Sequence, residues 1–320
     1  MKFTRLGNSG LTVSRIALGC MSYGSSTWRP WVLNETESRP FFKKAIEAGI
    51  NFFDTADIYS QGVSEEVTGR ALKEFGKPDE LVIASKVFFP MGEGPNNKGL
   101  GRKHIVQACE ASLKRLGVEC IDLYQVHRFD NDVPLEETLS ALNQLVLQGK
   151  VRYLGASSTW AWKLMKSLSI SERNGWAKFV SMQNHYNLVY REEEREMLPL
   201  CAEAGLGVIP WSPLARGLLA GRKATHRGST DAGIGQLYDN PNDAAVVAAN
   251  EKVARAREVP PAQTALAWLL AQPTVSAPIV GVTRLEQLDD AIAAVELELR
   301  DDEKRAMEAP YHPHAVRGWL

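Results

Sequence analysis

Four side chains in the first 130 residues can together carry out acid–base chemistry. Asp54 and Tyr59 lie five residues apart, while Lys86 and His127 follow at the ends of two later apolar runs. A tyrosine hydroxyl has an ordinary pKa of about 10, and a neighbouring ammonium group favours its ionised form. Asp54 can hold Lys86 charged, and His127 can donate to a substrate oxygen or relay a proton. Such a set suits protonation of a carbonyl oxygen while hydride adds to its carbon.

Each of these residues also has a structural interpretation. Asp54 can cap the next helix, Lys86 can form an ion pair, and a single histidine is often only a hydrogen-bonded structural residue. The catalytic interpretation therefore depends on whether the chain brings all four together.

Short apolar runs supply the elements that must position them. They are mostly continuous rather than alternating, which is typical of parallel strands buried on both faces. We expect eight strands, at 16–20, 50–56, 81–87, 121–127, 151–157, 179–184, 206–211 and 276–282.

Helical patterns lie between the strands. Apolar residues recur at helical spacing over 105–116, 135–146 and 285–295. Eight strand–helix repeats predict an α/β fold, a closed (β/α)8 TIM barrel with long loops at its C-terminal face. The alternative is a doubly wound open sheet, but the glycine-rich turn expected after its first strand is missing.

The ends of the chain frame this barrel. Residues 1–14 form two alternating runs around Asn8-Ser9-Gly10, which predicts a hairpin that closes the bottom of the barrel. A long connection at 213–243 is rich in Gly, Pro and Asn, and loops of this length are typically functional lids or flexible segments. No composition shift divides the chain, so residues 1–320 are interpreted as a single domain.

Composition narrows the class of protein. The 320 residues carry a formal charge of -1, with 44% hydrophobic and 23% charged residues. This balance is typical of a globular protein and argues against nucleic-acid or membrane partners. No signal peptide is evident, and the four cysteines form no metal-binding pattern, so we expect reduced thiols in the cytoplasm and no metal site. The oligomeric state is left open.

The motifs of the chain resemble those of the aldo-keto reductases, in order and over essentially its whole length. They read FDTADIY (53–59), SK (85–86), LYQVH (123–127), GASS (155–158), SMQNHYNL (181–188), IPWSPLARGLLAG (209–221) and GVTRLEQL (281–288). Within the family the chain is most similar to the bacterial YajO-like branch, through EEREMLPLC (193–201) and a tail at 311–314. Two departures from the family pattern are Ser60, where many relatives have Gly, and Ala291, where many have Asn.

The resemblance implies an NADPH-dependent oxidoreductase that reduces aldehydes and ketones, with Tyr59 as the proton donor. It implies that the nicotinamide is held by Ser157, Ser158, Gln183, Asn184 and Trp211. It also implies that the long loop at 213–243 covers the cofactor. The residues it assigns to the pyrophosphate loop are Ser212, Pro213, Leu214, Gly217 and Leu219. Those it assigns to the adenosine half are Gly281, Thr283, Arg284, Gln287 and Asp290.

The preference for NADPH also has a physical basis. Thr283 and Arg284 can bind a 2'-phosphate, and no acidic residue occurs at 281–285 to repel it. Glu286 follows, but it is expected to point elsewhere from the helix.

The expected substrate is a small carbonyl compound with an apolar body. Its pocket is predicted to contain aromatic residues from loops and the tail, namely Tyr23, Trp28, Phe88, Phe89, Phe129 and Trp319. Two other functions are weighed: a non-catalytic, cofactor-sensing binding subunit and a thiamine-dependent deoxyxylulose-phosphate synthase. The first is disfavoured by the complete set of four residues, and the second by the missing thiamine-binding motif.

Overall fold

The apolar runs form a ring of parallel strands in a computed structural model that describes residues 1–221, 237, 238 and 240–317. The barrel strands are β3 (Ala17–Gly19), β4 (Phe52–Asp54), β5 (Val82–Val87), β6 (Ile121–Val126), β7 (Val151–Ser157), β8 (Phe179–Gln183), β9 (Gly207–Val208) and β10 (Ile279–Val280). Each lies within one of the eight predicted strands, so the predicted number and order are confirmed.

Hydrogen bonds close this sheet on itself. Neighbouring strands pair in chain order from β3 to β9, and β10 pairs with β3. Between β9 and β10, Ser276 N donates to Val208 O at 2.8 Å and Ile279 N donates to Pro210 O at 2.9 Å. The fold is therefore the predicted (β/α)8 barrel rather than an open sheet.

Helices surround the barrel. They are α1 (Glu35–Glu47), α2 (Val63–Phe75), α3 (Arg102–Leu116), α4 (Leu135–Leu147), α5 (Ala161–Asn174), α6 (Met197–Ala204), α7 (Asp243–Ala256), α8 (Pro261–Leu270), α9 (Leu285–Ala294) and α10 (Asp301–Glu308). Helix α3 shows why they form, since Ile105, Cys109 and Leu113 recur on its buried face. It ends at Gly117, whose φ of 68° is the left-handed conformation that glycine favours.

The N-terminal hairpin packs against one end of the barrel. It consists of β1 (Phe3–Arg5) and β2 (Thr12–Ser14). Leu6 and Val13 are fully buried in a cluster with Phe52 and Val82, which begin their strands. The hairpin thus closes the N-terminal end of the barrel, opposite the C-terminal ends of the strands.

The cysteines and the character of the helices were also the subject of expectations from the sequence. Cys20, Cys109, Cys120 and Cys201 are all free, and all but Cys120 are buried. Among the described helices, none combines the length and the apolar character needed to cross a lipid bilayer.

Candidate active site

A large cavity opens at the C-terminal ends of the strands. Its volume is about 1440 Å³, compared with roughly 300–1,000 Å³ for a typical small-molecule pocket. Of the predicted site residues, the cavity wall contains Trp28, Asp54, Tyr59, Phe89, His127, Gln183, Trp211, Ser212, Pro213, Leu214, Gly217, Gly281, Thr283, Arg284, Gln287 and Asp290. The cavity is large enough to hold a dinucleotide together with a small substrate.

Lys86 lies directly behind this wall and connects two residues within it. Its Nζ donates to Asp54 Oδ1 at 2.5 Å, to the Thr55 carbonyl oxygen at 2.8 Å and to the Tyr59 hydroxyl at 3.2 Å. The Lys86 side chain is completely buried and that of Asp54 is nearly so. A buried ion pair of this kind is tolerated because each partner is also hydrogen-bonded.

The second oxygen of Asp54 is equally engaged. Gln125 Nε2 and Gln183 Nε2 each donate to Asp54 Oδ2 at 2.9 Å. Gln183 also donates to Gln125 Oε1 at 3.1 Å. This network fixes the orientation of the Gln183 amide at the cavity wall.

The pKa shifts differ from the sequence-based expectation in one respect. Burial raises the pKa of the Tyr59 hydroxyl above its ordinary value, although the charge of Lys86 acts in the opposite direction. Burial alone would lower the pKa of Lys86, but Asp54 and Tyr59 outweigh it and raise that pKa. Tyr59 is consequently protonated at neutral pH, beside a lysine that is fully charged.

His127 completes the set. It is almost fully buried, and its ring lies edge-on to Tyr59 at a centroid distance of 5.7 Å. Burial lowers the pKa of His127 well below its ordinary value, and the charges of Lys86 and Arg128 add to this effect. The imidazole is therefore neutral and can donate one hydrogen bond into the cavity. The structure brings the four predicted acid–base residues together.

The turn after Tyr59 is strained. Ser60 and Gln61 adopt left-handed conformations, with φ of 51° and 53°. Ser60 Oγ accepts a hydrogen bond from Ser25 N at 3.1 Å. A left-handed backbone conformation costs free energy for any residue with a Cβ atom, which explains why a glycine at position 60 would suit the turn.

The opposite wall is built around Trp211. Its ring stacks on that of His185 at 4.3 Å, and its Nε1 donates to Ser158 Oγ at 3.2 Å. Ser157 and Ser158 are buried behind the wall with their hydroxyls 3.3 Å apart. Asn184 is buried nearby, and its Oδ1 has no hydrogen-bond partner among the described residues.

The segment after β9 crosses the cavity in an unusual conformation. Ser212, Ala215 and Arg216 all have positive φ, between 48° and 56°. Tyr238 anchors the far end of this connection, since its hydroxyl lies 3.0 Å from Ser212 Oγ and 2.6 Å from His185 Nε2. Leu219 is buried in the core rather than on the wall. Residues 222–236 and 239 of the predicted 213–243 loop lie outside the described residues.

At the far end of the cavity, the start of α9 provides polar groups. Gln287 Oε1 accepts from Thr283 N at 2.9 Å and from Arg284 N at 3.1 Å, while Asp290 Oδ1 accepts from Gln263 Nε2. Arg284 is exposed at the rim. Glu286 also lies on the cavity wall, so the expectation that it points elsewhere is wrong.

Three of the predicted substrate residues pack elsewhere. Tyr23 is fully buried between Phe41 and Phe42, because the short turn after β3 directs it into the core. Phe88 is partly buried against the hydrophobic core, whereas the adjacent Phe89, which was also predicted, lies on the cavity wall.

Phe129 likewise lies away from the wall, against Phe179. Trp28 is on the wall, with its ring 6.3 Å from that of Tyr59. Trp319 lies outside the described residues.

Sequence reasoning missed several residues of the site. Arg29 and Arg128 are on the wall near Tyr59, and Arg216 is on the wall near Trp211. Arg128 directly follows His127, so its position at a strand end was a usable signal. His185 and Tyr238, which support Trp211 from behind, had no comparable signal because ring stacking depends on tertiary packing.

Comparison with known proteins agrees with this geometry. The model of the aldo/keto reductase family matches residues 15–311. The chain therefore belongs to the aldo/keto reductase family, a class of oxidoreductases that act on carbonyl compounds.

Individual relatives are similar over almost their full length. The chain is 44% identical to a versiconal hemiacetal acetate reductase of Aspergillus parasiticus, covering 99% of this chain and 98% of that protein. It is also 44% identical to a Schizosaccharomyces pombe protein whose name assigns it provisionally to the aryl-alcohol dehydrogenases, covering 98% and 96%. An aldo-keto reductase of Alternaria alternata is 43% identical over 99% of this chain and 93% of that protein.

Proposed function

We propose that this protein is an NADPH-dependent reductase of aldehydes and ketones, with Tyr59 as the general acid. The observation that carries the proposal is the Tyr59 hydroxyl, protonated at neutral pH and 3.2 Å from the charged Lys86, on the wall of a large cavity. The names of the relatives as reductases and dehydrogenases support the same reaction class.

The residues present fit a nicotinamide dinucleotide. The buried Asn184 Oδ1 lacks a partner within the described chain and suits the amide N–H of a carboxamide, with Ser157, Ser158 and Gln183 close by. Trp211 offers an aromatic surface on the wall. The segment from Ser212 through Pro213, Leu214 and Gly217 would hold the pyrophosphate, and the start of α9 the adenosine half.

The chain's own part in the reaction is proton transfer and orientation. The bound cofactor supplies the hydride that reduces the carbonyl carbon. The Tyr59 hydroxyl gives its proton to the carbonyl oxygen, and the ammonium group of Lys86 stabilises the phenolate that remains. Neutral His127 donates to the same oxygen and orients it. Asp54 keeps Lys86 charged and in place.

The preference for NADPH over NADH rests on Arg284. Its exposed guanidinium group at the rim can pair with a 2'-phosphate, with Thr283 beside it. Glu286 on the same wall opposes such a phosphate, so Arg284 must outweigh it for NADPH to be preferred. We further infer a cytoplasmic enzyme.

The narrower placement of the chain within the family rests on the 193–201 segment and the tail at 311–314. The relatives described above are fungal, so they give no support to the bacterial YajO-like branch. The tail lies beside the residue that precedes the 193–201 segment: the Tyr311 hydroxyl and His314 N both donate to Glu192 Oε1, at 2.6 and 2.7 Å. We keep that branch as a proposal that rests on these two sequence motifs alone.

The function is tested by Tyr59→Phe, which removes the proton donor and keeps the ring. Reduction of a nitrobenzaldehyde with saturating NADPH should fall by about 10²–10⁴-fold. Cofactor affinity, followed by quenching of protein fluorescence, should be retained. Tyr153→Phe is the matched control, because it removes a hydroxyl beside the hairpin, at the closed end of the barrel.

Two outcomes would refute the proposal. A Tyr59→Phe enzyme that keeps more than about a tenth of wild-type turnover while binding cofactor would show that Tyr59 is not the essential acid. A wild-type protein that binds NADPH but reduces none of a panel of carbonyl compounds would be a binding subunit instead.

A further inference from the structure

The substrate end of the cavity is unusually rich in positive charge. Arg29 and Arg128 are both on the wall beside Tyr59 and His127. Among the described residues at this end, Asp54 is the carboxylate on the wall, and both of its oxygens are already engaged by Lys86, Gln125 and Gln183. Within the described part of the chain, the structure therefore brings two guanidinium groups to the mouth without a free carboxylate to match them.

Arg128 is held rigidly but incompletely satisfied. Its Nη1 donates to the His127 carbonyl oxygen at 2.7 Å, and its guanidinium lies 5.7 Å from the centre of the Phe89 ring. Its Nε is buried and has no partner among the described residues. A half-buried cation with a free donor is costly unless something supplies an acceptor.

Arg29 approaches Tyr59 from the other side. Its guanidinium carbon lies 4.6 Å from the centre of the Trp28 ring, and that ring lies 6.3 Å from the Tyr59 ring. Together these two distances place the Arg29 guanidinium carbon at most about 11 Å from the centre of the Tyr59 ring. Among the described residues, the contacts of Arg29 are to the rings of Trp28 and Trp31, and these contacts leave its N–H donors for a ligand.

Building on the proposed function, we propose that the site selects carbonyl substrates that carry an oxyanion, a carboxylate or a phosphate ester, about one ring's width from the reacting carbonyl. The carbonyl oxygen lies at Tyr59 and His127, and the apolar body packs between Trp28 and Phe89. Arg29 and Arg128 bind the anion, because a planar guanidinium group matches the geometry of carboxylate and phosphate oxygens.

Two aldehydes of similar shape but different charge test whether the enzyme prefers an anionic substrate. 4-Carboxybenzaldehyde and methyl 4-formylbenzoate share ring and carbonyl, but only the first is anionic. The ester withdraws electrons more strongly, so its carbonyl is intrinsically easier to reduce, and a preference for the acid must come from the protein. We expect kcat/KM for the acid to exceed that for the ester by about tenfold or more. 4-Formylphenyl phosphate against 4-methoxybenzaldehyde tests the other oxyanion. Because the methoxy group itself slows reduction, the ratio for this pair is judged by its loss in the arginine variants and not by its size in the wild-type enzyme.

Substitutions of Arg29 and Arg128 test whether these two residues cause the preference for the anionic aldehyde. Arg29→Gln and Arg128→Gln should each lower the acid-to-ester ratio by roughly tenfold, and Arg29→Lys should restore part of it. Arg5→Gln in β1 is the matched control, because it removes the same charge from the exposed surface at the far end of the barrel. The ratio is measured within each enzyme, so a change in overall turnover does not affect it.

The outcomes are distinct from those of the proposed function. Wild-type enzyme that reduces the neutral aldehydes but favours neither anion would overturn this inference alone. A ratio that neither glutamine variant changes would overturn it as well. If Arg128→Gln does not fold, as judged by circular dichroism, Arg29→Gln still decides the matter. Failure to reduce any aldehyde would instead refute the reductase function.

Discussion

Asp57 offers a prediction about stability whose size follows from its surroundings. It is completely buried two residues before Tyr59, its Oδ1 accepts from Ile58 N at 2.6 Å, and its Oδ2 has no partner among the described residues. Burial, reinforced by the negative charge of Glu65, raises the pKa of its carboxyl from 3.8 to about 8. The folded chain therefore retains a proton on Asp57 that the unfolded chain has already lost.

The raised pKa of Asp57 makes the free energy of unfolding depend on pH. Because the pKa is higher in the folded state, folding is favoured by this group's proton at low pH and penalised as the pH rises from about 4 to about 8. Asp57→Asn replaces the protonated acid with a neutral isostere and removes the penalty. Relative to wild type, the variant should gain up to about 4 kcal/mol of stability between pH 5 and pH 8, and no more above that.

Denaturant unfolding at several pH values measures this difference. Midpoints and slopes from guanidinium titrations, followed by both fluorescence and circular dichroism, give the free energy of unfolding where the two probes agree. The new amide adds an offset that does not depend on pH, so the slope is the quantity to read. Asp79→Asn, on the exposed surface, is the control for loss of a carboxylate. A difference that changes by less than about 1 kcal/mol across this range would refute the reasoning.

Two further predictions concern the site itself. Lys86→Met should lower turnover about as much as Tyr59→Phe and lower stability by about 3–5 kcal/mol, since the buried Asp54 carboxylate loses its counter-ion. Adding Asp54→Asn should restore stability in thermal melts but not turnover, and a Lys86→Met enzyme as stable as wild type would contradict this account. Arg284→Ala should weaken NADPH binding by roughly 1–3 kcal/mol and leave NADH binding nearly unchanged in fluorescence titrations, whereas equal losses would remove Arg284 from the 2'-phosphate.

The sequence allowed both the barrel and its acid–base centre to be predicted, because the pattern that marks the strands also marks where they end. Parallel strands buried on both faces are continuous apolar runs, and the residue that ends each run must lie at one face of the barrel. Asp54, Lys86 and His127 are such residues, and the structure brings them together with Tyr59.

The substrate end was less predictable because loops lack a repeating period. Phe88 and Phe89 are adjacent and chemically identical, yet only Phe89 reaches the cavity. The side chain's direction there depends on the loop's path and not on its residue type. The pKa of Tyr59 was misjudged for a related reason, since the desolvation that raises it is a property of the packed structure.

The carboxylate of Asp54 connects residues that lie far apart in the sequence. Through Lys86, Gln125 and Gln183 it joins strands β4, β5, β6 and β8, and its bond to Gln183 spans 129 positions of sequence. The FDTADIY segment alone therefore does not contain the chemistry, and neither does the half of the barrel in which it lies. Grafted onto another scaffold it would carry a tyrosine and an aspartate but not the centre, because the centre exists only where the ring of strands has closed.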